Sequence, residues 1–116
     1  MNPHRESGGA SKHDVRVTEL IAHEAAKFIL EEASGQSLIT VTRAVISKNA
    51  DRADIFVSIF PIEQVAPALS FLSRSGGDFR AHLAKHTKLH PIPHITFVHD
   101  TGEMYRQHLD ELSKKS

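Results

Sequence analysis

The residues most suited to chemistry lie between Arg74 and His90. The triplet Ser75-Gly76-Gly77 separates two apolar-periodic runs, and Arg80, Lys85 and Lys88 follow it closely. Two glycines inside a continuous helix cost roughly 1 kcal/mol each against alanine, so their presence suggests a kink where the backbone is approached closely. A helix N-terminus at such a kink offers N–H groups and a favourable dipole to a phosphate. Gly77→Val is accordingly expected to strain the kink and to block it. On a helical wheel starting at Phe79, the residues Arg80, Ala81, Ala84, Lys85 and Lys88 share one side. Phe79, Leu83, His86 and His90 share the other, with His82 and Leu89 at its margin. Cations segregated from a core stripe suit a phosphate-facing surface, and a solvated helix face gives the same pattern. Arg74 and Arg43 are further candidates for such contacts.

His82, His86 and His90 recur every four residues, a spacing at which neighbours can share a cation. No HExxH glutamate and no cysteine accompanies them, and their side of the wheel is the packed one. They are read as hydrogen-bonded, partly buried histidines, with no metal and no cofactor. His82→Leu is then expected to keep the fold and to lessen the loss of stability in acid.

The elements that must position these residues fit one domain of 116 residues. Fourteen basic residues balance fourteen acidic ones, with nine histidines taken as neutral. Such balance argues against bulk coating of nucleic acid. Between Phe71 and His99, however, four Lys/Arg face the single acid Asp78, so any anion-binding face is local. The absence of cysteine excludes disulfides. No apolar run approaches the ~20 residues of a membrane span, and the first residues lack a secretory signal, which implies a cytoplasmic protein.

Residues 1–12 are polar and rich in Gly and Ser and are expected to be disordered. A first helix, capped by Ser11 or Asp14, carries Val17, Leu20, Ile21, Ala25, Phe28 and Ile29 at helical spacing and stops by Gly35. Leu38–Ser47 and Ala53–Phe60 read as strands joined by a polar turn. Arg43 interrupts the first, marking a bulge or pointing outward. In the second, Ile55, Val57 and Ile59 alternate with Phe56, Ser58 and Phe60, whose face can stack bases or be covered by a terminal segment. Pro67 is tolerated only in a first turn, which places the second helix from about Val65. A third helix follows from about Asp78 to Lys88, and Pro91 and Pro93 precede the strand HITFVHD. Asp100, with Glu103 as capping-box partner, opens a terminal helix whose apolar side is Tyr105, His108, Leu109 and Leu112. The order α-β-β-α-kink-α-β-α is an α+β two-layer sandwich over three strands.

This order, with VTRAVISKNADRADIFVSIF across the hairpin, Ser75-Gly76-Gly77 then Phe79-Arg80 at the kink, and LAKHTKLHPIPHITFVHD beyond it, resembles the ribosome-binding factor A family. The resemblance covers about Val15 to Leu112. It implies a type II K-homology (KH) topology in which a small-x-Gly kink replaces the GxxG loop, here with Ser75 where alanine is usual. His82 stands where an aliphatic residue is usual. The resemblance also implies a KH-like domain over residues 13–113, with a short tail at 114–116. By the same resemblance the chain is a monomeric, non-enzymatic assembly factor. Its partners would be the 16S rRNA and the free, immature 30S subunit, whose late maturation and rRNA processing it assists, with no membrane involved. The RNA contacts would be Ser75, Gly76, Gly77, Arg80, Lys85 and Lys88, then Arg74 and Arg43. Two other readings are a histidine-metal ribonuclease acting on rRNA and a KH-like protein-interaction module without RNA.

Overall fold

A computed structural model describes residues 12–33, 35 and 38–102. The first helix, α1, runs Lys12–Glu32, and the hairpin strands are β1, Leu38–Ile46, and β2, Arg52–Phe60. A short 3-10 turn, Ile62–Gln64, leads into α2, Val65–Arg74; α3 spans Gly76–His86 and β3 spans His94–His99. The expected terminal helix and all but the last residue of the expected N-terminal tail lie outside the described residues.

The sheet order is β1-β2-β3, with β1 antiparallel and β3 parallel to β2. The three described α-helices pack on one face. Alternation in β2 explains why: Ile55, Val57 and Ile59 are buried under the helices, while Ser58 and Phe60 point away. α1 contributes Val17, Ile21, Ala25, Phe28 and Ile29 to the same core, at the spacing of one helical face. Phe79 and Leu83 of α3 are fully buried. Phe79 meets Phe28 at 5.3 Å between ring centroids and Phe97 of β3 at 6.0 Å, both tilted, a favourable aromatic geometry. One residue thereby joins α1, α3 and β3.

Glu24 sits on the buried face of α1, where Oε1 accepts a 2.9 Å hydrogen bond from Nε2 of His82 and lies 3.8 Å from Nζ of Lys27. The His82 ring stacks beside Phe79 and against Phe28, and His86 lies 4.3 Å from it, exposed on the outer turn. The hydrogen bond from His82 holds the Glu24 carboxyl below the ordinary glutamate value, aided by Lys27 and opposed by burial. This corrects the expectation for His82→Leu. His82 is the partner of a buried carboxylate, and leucine would strand that charge.

In β1, Val41 pairs with Val57 and Arg43 with Phe56, leaving Thr42 as the extra residue of a β-bulge. Both readings of Arg43 therefore hold: it follows a bulge and it points outward, with its guanidinium 4.3 Å from the Phe56 ring centroid. The hairpin turn is closed by Ser47, whose hydroxyl donates to Asp51 Oδ1 (2.7 Å) and accepts from the Arg52 N–H (2.9 Å). Within it Ala50 takes φ 62°, a left-handed conformation that disfavours a side chain with Cβ.

Two outcomes follow from this packing. Ala50→Gly should raise thermal stability by up to about 1 kcal/mol, since relief of the left-handed alanine exceeds the entropic penalty of glycine; a lower melting temperature would contradict it. His82→Leu should destabilise at neutral pH by about 1–3 kcal/mol through an unsatisfied buried carboxylate. Because the folded carboxyl lies below its unfolded value, the pair stabilises fully above the unfolded value and is lost as pH falls through the folded one. Glu24→Gln should therefore flatten the acid limb of a stability-against-pH curve.

Candidate nucleic-acid interface

The direction change between α2 and α3 falls on a single residue, Ser75, at φ −91° and ψ 0°. Its side chain is buried and its hydroxyl donates to the Phe71 carbonyl at 2.7 Å, closing the last turn of α2. Its own carbonyl accepts the Phe79 N–H at 2.8 Å, opening α3. The small polar residue thus serves both helices at once. Gly76 and Gly77, expected between the helices, are instead the first two residues of α3. An added Cβ at Gly76 would stand 3.9 Å from the Ile95 carbonyl, an ordinary contact, and one at Gly77 would meet nothing within 4 Å. Neither glycine is demanded by packing, so the expected strain at Gly77→Val has no structural basis.

What the glycines leave is space. A groove of about 390 Å³ lies between the kink and β3, lined by Leu72, Gly76, Gly77, Arg80, His94 and Thr96 among others. One wall is the start of α3, where unsatisfied N–H groups and the positive end of the helix dipole collect. The other is β3, an edge strand of the sheet. Its exposed His94 and Thr96 were missed from sequence, although a strand placed last after two prolines is the signal for an edge.

The cations divide into three groups. Arg80 lines the groove but is engaged: Nε donates to the Pro93 carbonyl (3.2 Å) and Nη2 to that of Ile92 (3.1 Å), pinning the α3–β3 connection. Its remaining N–H donors are left for a ligand. Lys85 and Lys88 are exposed on and just beyond α3, outside the groove lining, with no ion pair among the described residues. Arg74 ends α2, exposed, with Nη1 donating to the Ser70 hydroxyl at 2.7 Å. The structure does not bring Arg43 to this group, because it lies on the opposite face of the sheet over Phe56. Ser75 is buried and meets a ligand only through its neighbours.

His82 and His86 lie away from the groove, toward α1. Among the described residues no three His, Cys, Asp or Glu side chains converge as a metal site. No described helix is long and apolar enough to cross a membrane.

With this geometry in view, a family model described as ribosome-binding factor A matches residues 13–113. The chain belongs to the ribosome-binding factor A family. A relative of that name from Pseudomonas fluorescens strain Pf-5 is 27% identical over 106 residues, covering 87% of this chain and 80% of the relative. The crystal structure of ribosome-binding factor A from Thermus thermophilus shares the fold, with a TM-score of 0.66, 23% identity, and 73% and 93% of the two chains covered. A homology model of the Thermus thermophilus protein, fitted into a cryo-EM map of a 30S–RbfA complex, superposes with a TM-score of 0.60 at 23% identity, covering 77% and 92%. The fold of this RbfA family member is the type II KH-like α+β sandwich.

Gly77→Ala should keep the fold and raise the melting temperature, by an amount equivalent to at most about 1 kcal/mol of helix propensity. A fall in thermal stability would show that a constraint at Gly77 has been overlooked.

Proposed function

We propose that this protein is a non-enzymatic assembly factor that binds 16S rRNA of the immature 30S subunit and assists its late maturation and rRNA processing. It acts as a cytoplasmic monomer through its KH-like domain, residues 13–113. The observation that carries the reading is the groove opened by Gly76 and Gly77 at the start of α3, with Arg80 inside it and Lys85 and Lys88 exposed beyond it. Family membership supports the ribosomal partner, as does the fitting of a Thermus relative into a 30S–RbfA map.

In this mechanism a phosphodiester enters where the glycines carry no side chain and meets the N-terminal N–H groups of α3. KH domains hold about four nucleotides in a comparable way. Ser75 positions these groups without touching RNA. Lys85, Lys88 and Arg74 add sequence-independent attraction, and Arg80 combines a phosphate contact with its structural bonds. Arg43, on the far face, would engage only an RNA that wraps the sheet edge. The engagement of His82 by Glu24, away from the groove, weighs against the histidine-metal ribonuclease.

Replacing both Lys85 and Lys88 by glutamate should leave thermal stability within about 0.5 kcal/mol, as at other exposed positions. Co-sedimentation with 30S subunits should fall, and the slope of log affinity on log salt should flatten by roughly 0.7–0.9 per lost contact. Gly77→Val should keep the fold but weaken binding by filling the groove. Arg80→Ala should lower both stability and binding. Unchanged binding and salt slope in the double charge reversal would remove this face as the RNA site.

A further inference from the structure

The sheet has a second edge, at β1, on the side away from β3. Among the described residues nothing pairs with the outer side of that strand. The bulge at Thr42 interrupts its regularity, so the run able to accept another strand is Leu38–Val41. Beside this run α1 leaves an apolar groove of about 370 Å³, lined by Ala26, Ile29, Leu30, Ala33, Ile39 and Val41. The gap has a cause in the sequence. Ala26 and Ala33 stand seven residues apart, on one side of the helix, where their single methyl groups leave room that larger side chains would fill.

Two large apolar side chains complete the lining, Leu30 at 85% exposure and Leu38 at 66%. Apolar groups gathered in the open around a groove and edged by charge mark a docking surface. The charge at this one is negative. Glu31 and Glu32 are both exposed in the last turn of α1, directly after Leu30, and that turn holds no basic residue. Carboxylates there face the negative end of the helix dipole, a placement that weakens the helix. Lys27, the cation closest to them in sequence, is turned toward Glu24. A polyanion is repelled by such an end, and a cationic chain is drawn to it.

We propose that the α1–β1 groove docks a basic protein segment, which adds as an extended strand to the Leu38–Val41 edge of β1. Apolar side chains of the segment enter the groove between Ala26, Leu30 and Ile39. Its lysines or arginines meet Glu31 and Glu32. Main-chain hydrogen bonds supply the affinity of such an addition, and alternate side chains supply its specificity. The site lies at the opposite edge of the sheet from the kink groove and does not rest on what that groove binds.

The probe is a fluorescein-labelled heptapeptide of alternating lysine and valine, titrated with the full chain and read by fluorescence anisotropy. It should bind, more weakly as salt rises. Glu–Val and Lys–Ser heptapeptides should bind at least about tenfold more weakly, the loss expected when one set of anchors is removed. Leu30→Ser, an exposed position, should weaken the Lys–Val peptide to a similar degree. Glu31→Lys with Glu32→Lys should do the same while raising the melting temperature, because cations suit that end of the helix. Methylating alternate peptide nitrogens should abolish binding in one of the two registers only, since an added strand presents every second N–H to its partner. Failure of the Lys–Val peptide to bind would overturn the proposal, and so would equal binding of the Glu–Val peptide. Indifference to both methylation registers would exclude an added strand. A concentration-dependent dimer of the wild type, dispersed by Leu30→Ser, would make a second copy the occupant and overturn it too.

Discussion

Phe79 is the contact on which the arrangement depends. It is fully buried where α1, α3 and β3 meet, ringed by Phe28, Phe97 and the imidazole of His82. Buried aromatic rings contribute both large apolar area and a preferred relative tilt, so they set distance and angle together. Held there, α3 cannot slide along the sheet, and its first turn is kept at the height at which a Cβ on Gly76 would stand 3.9 Å from the carbonyl of Ile95. The groove is the gap that remains. The Glu24–His82 hydrogen bond lies beside this cluster and closes α1 onto α3 from the open side.

Much of this was legible in the sequence because it rests on period. The apolar spacing in α1, the alternation of β2 and the late start of α2 at Val65 appear in the structure as expected. The α+β order followed from these elements taken together, and its KH-like topology from the resemblance to the family. Three features escaped. Glu24 stands three residues after Ile21 and four before Phe28, squarely on the buried face, where the sequence alone does not show the partner, His82, that lies 58 residues away. The glycines suggested a break by their propensity, whereas the bend falls on Ser75, whose hydroxyl can cap a carbonyl. Arg80 looked like a free cation because its acceptors, the carbonyls of Ile92 and Pro93, are made available only by tertiary structure.

Zero net charge is compatible with a strongly uneven surface. Of the fourteen acids, Glu24 is consumed inside by His82 and Lys27, and Asp100 is held by Gly102 and Thr42, which keep its carboxyl below the ordinary aspartate value. The segment from the end of α2 to β3 retains Arg74, Arg80, Lys85 and Lys88 against Asp78 alone. Local potential at a cleft depends on such neighbours rather than on the sum over the chain. The two faces of the sheet also differ in kind: one is dry and helical, and the other is organised by a bulge, a cation over a ring and a carboxylate tie.

The parallel pairing of β3 with β2 carries a consequence for how the protein comes into being. An antiparallel partner can join through a tight turn, but a parallel one must wait for a crossover, here the whole of α2 and α3. Such late, distant pairing delays completion of the sheet. One wall of the groove is supplied by that final strand, and the connection pinned by Arg80 immediately precedes it. During synthesis the helices and hairpin emerge first and lack this groove. The groove comes into existence only when β3 has left the ribosome and docked.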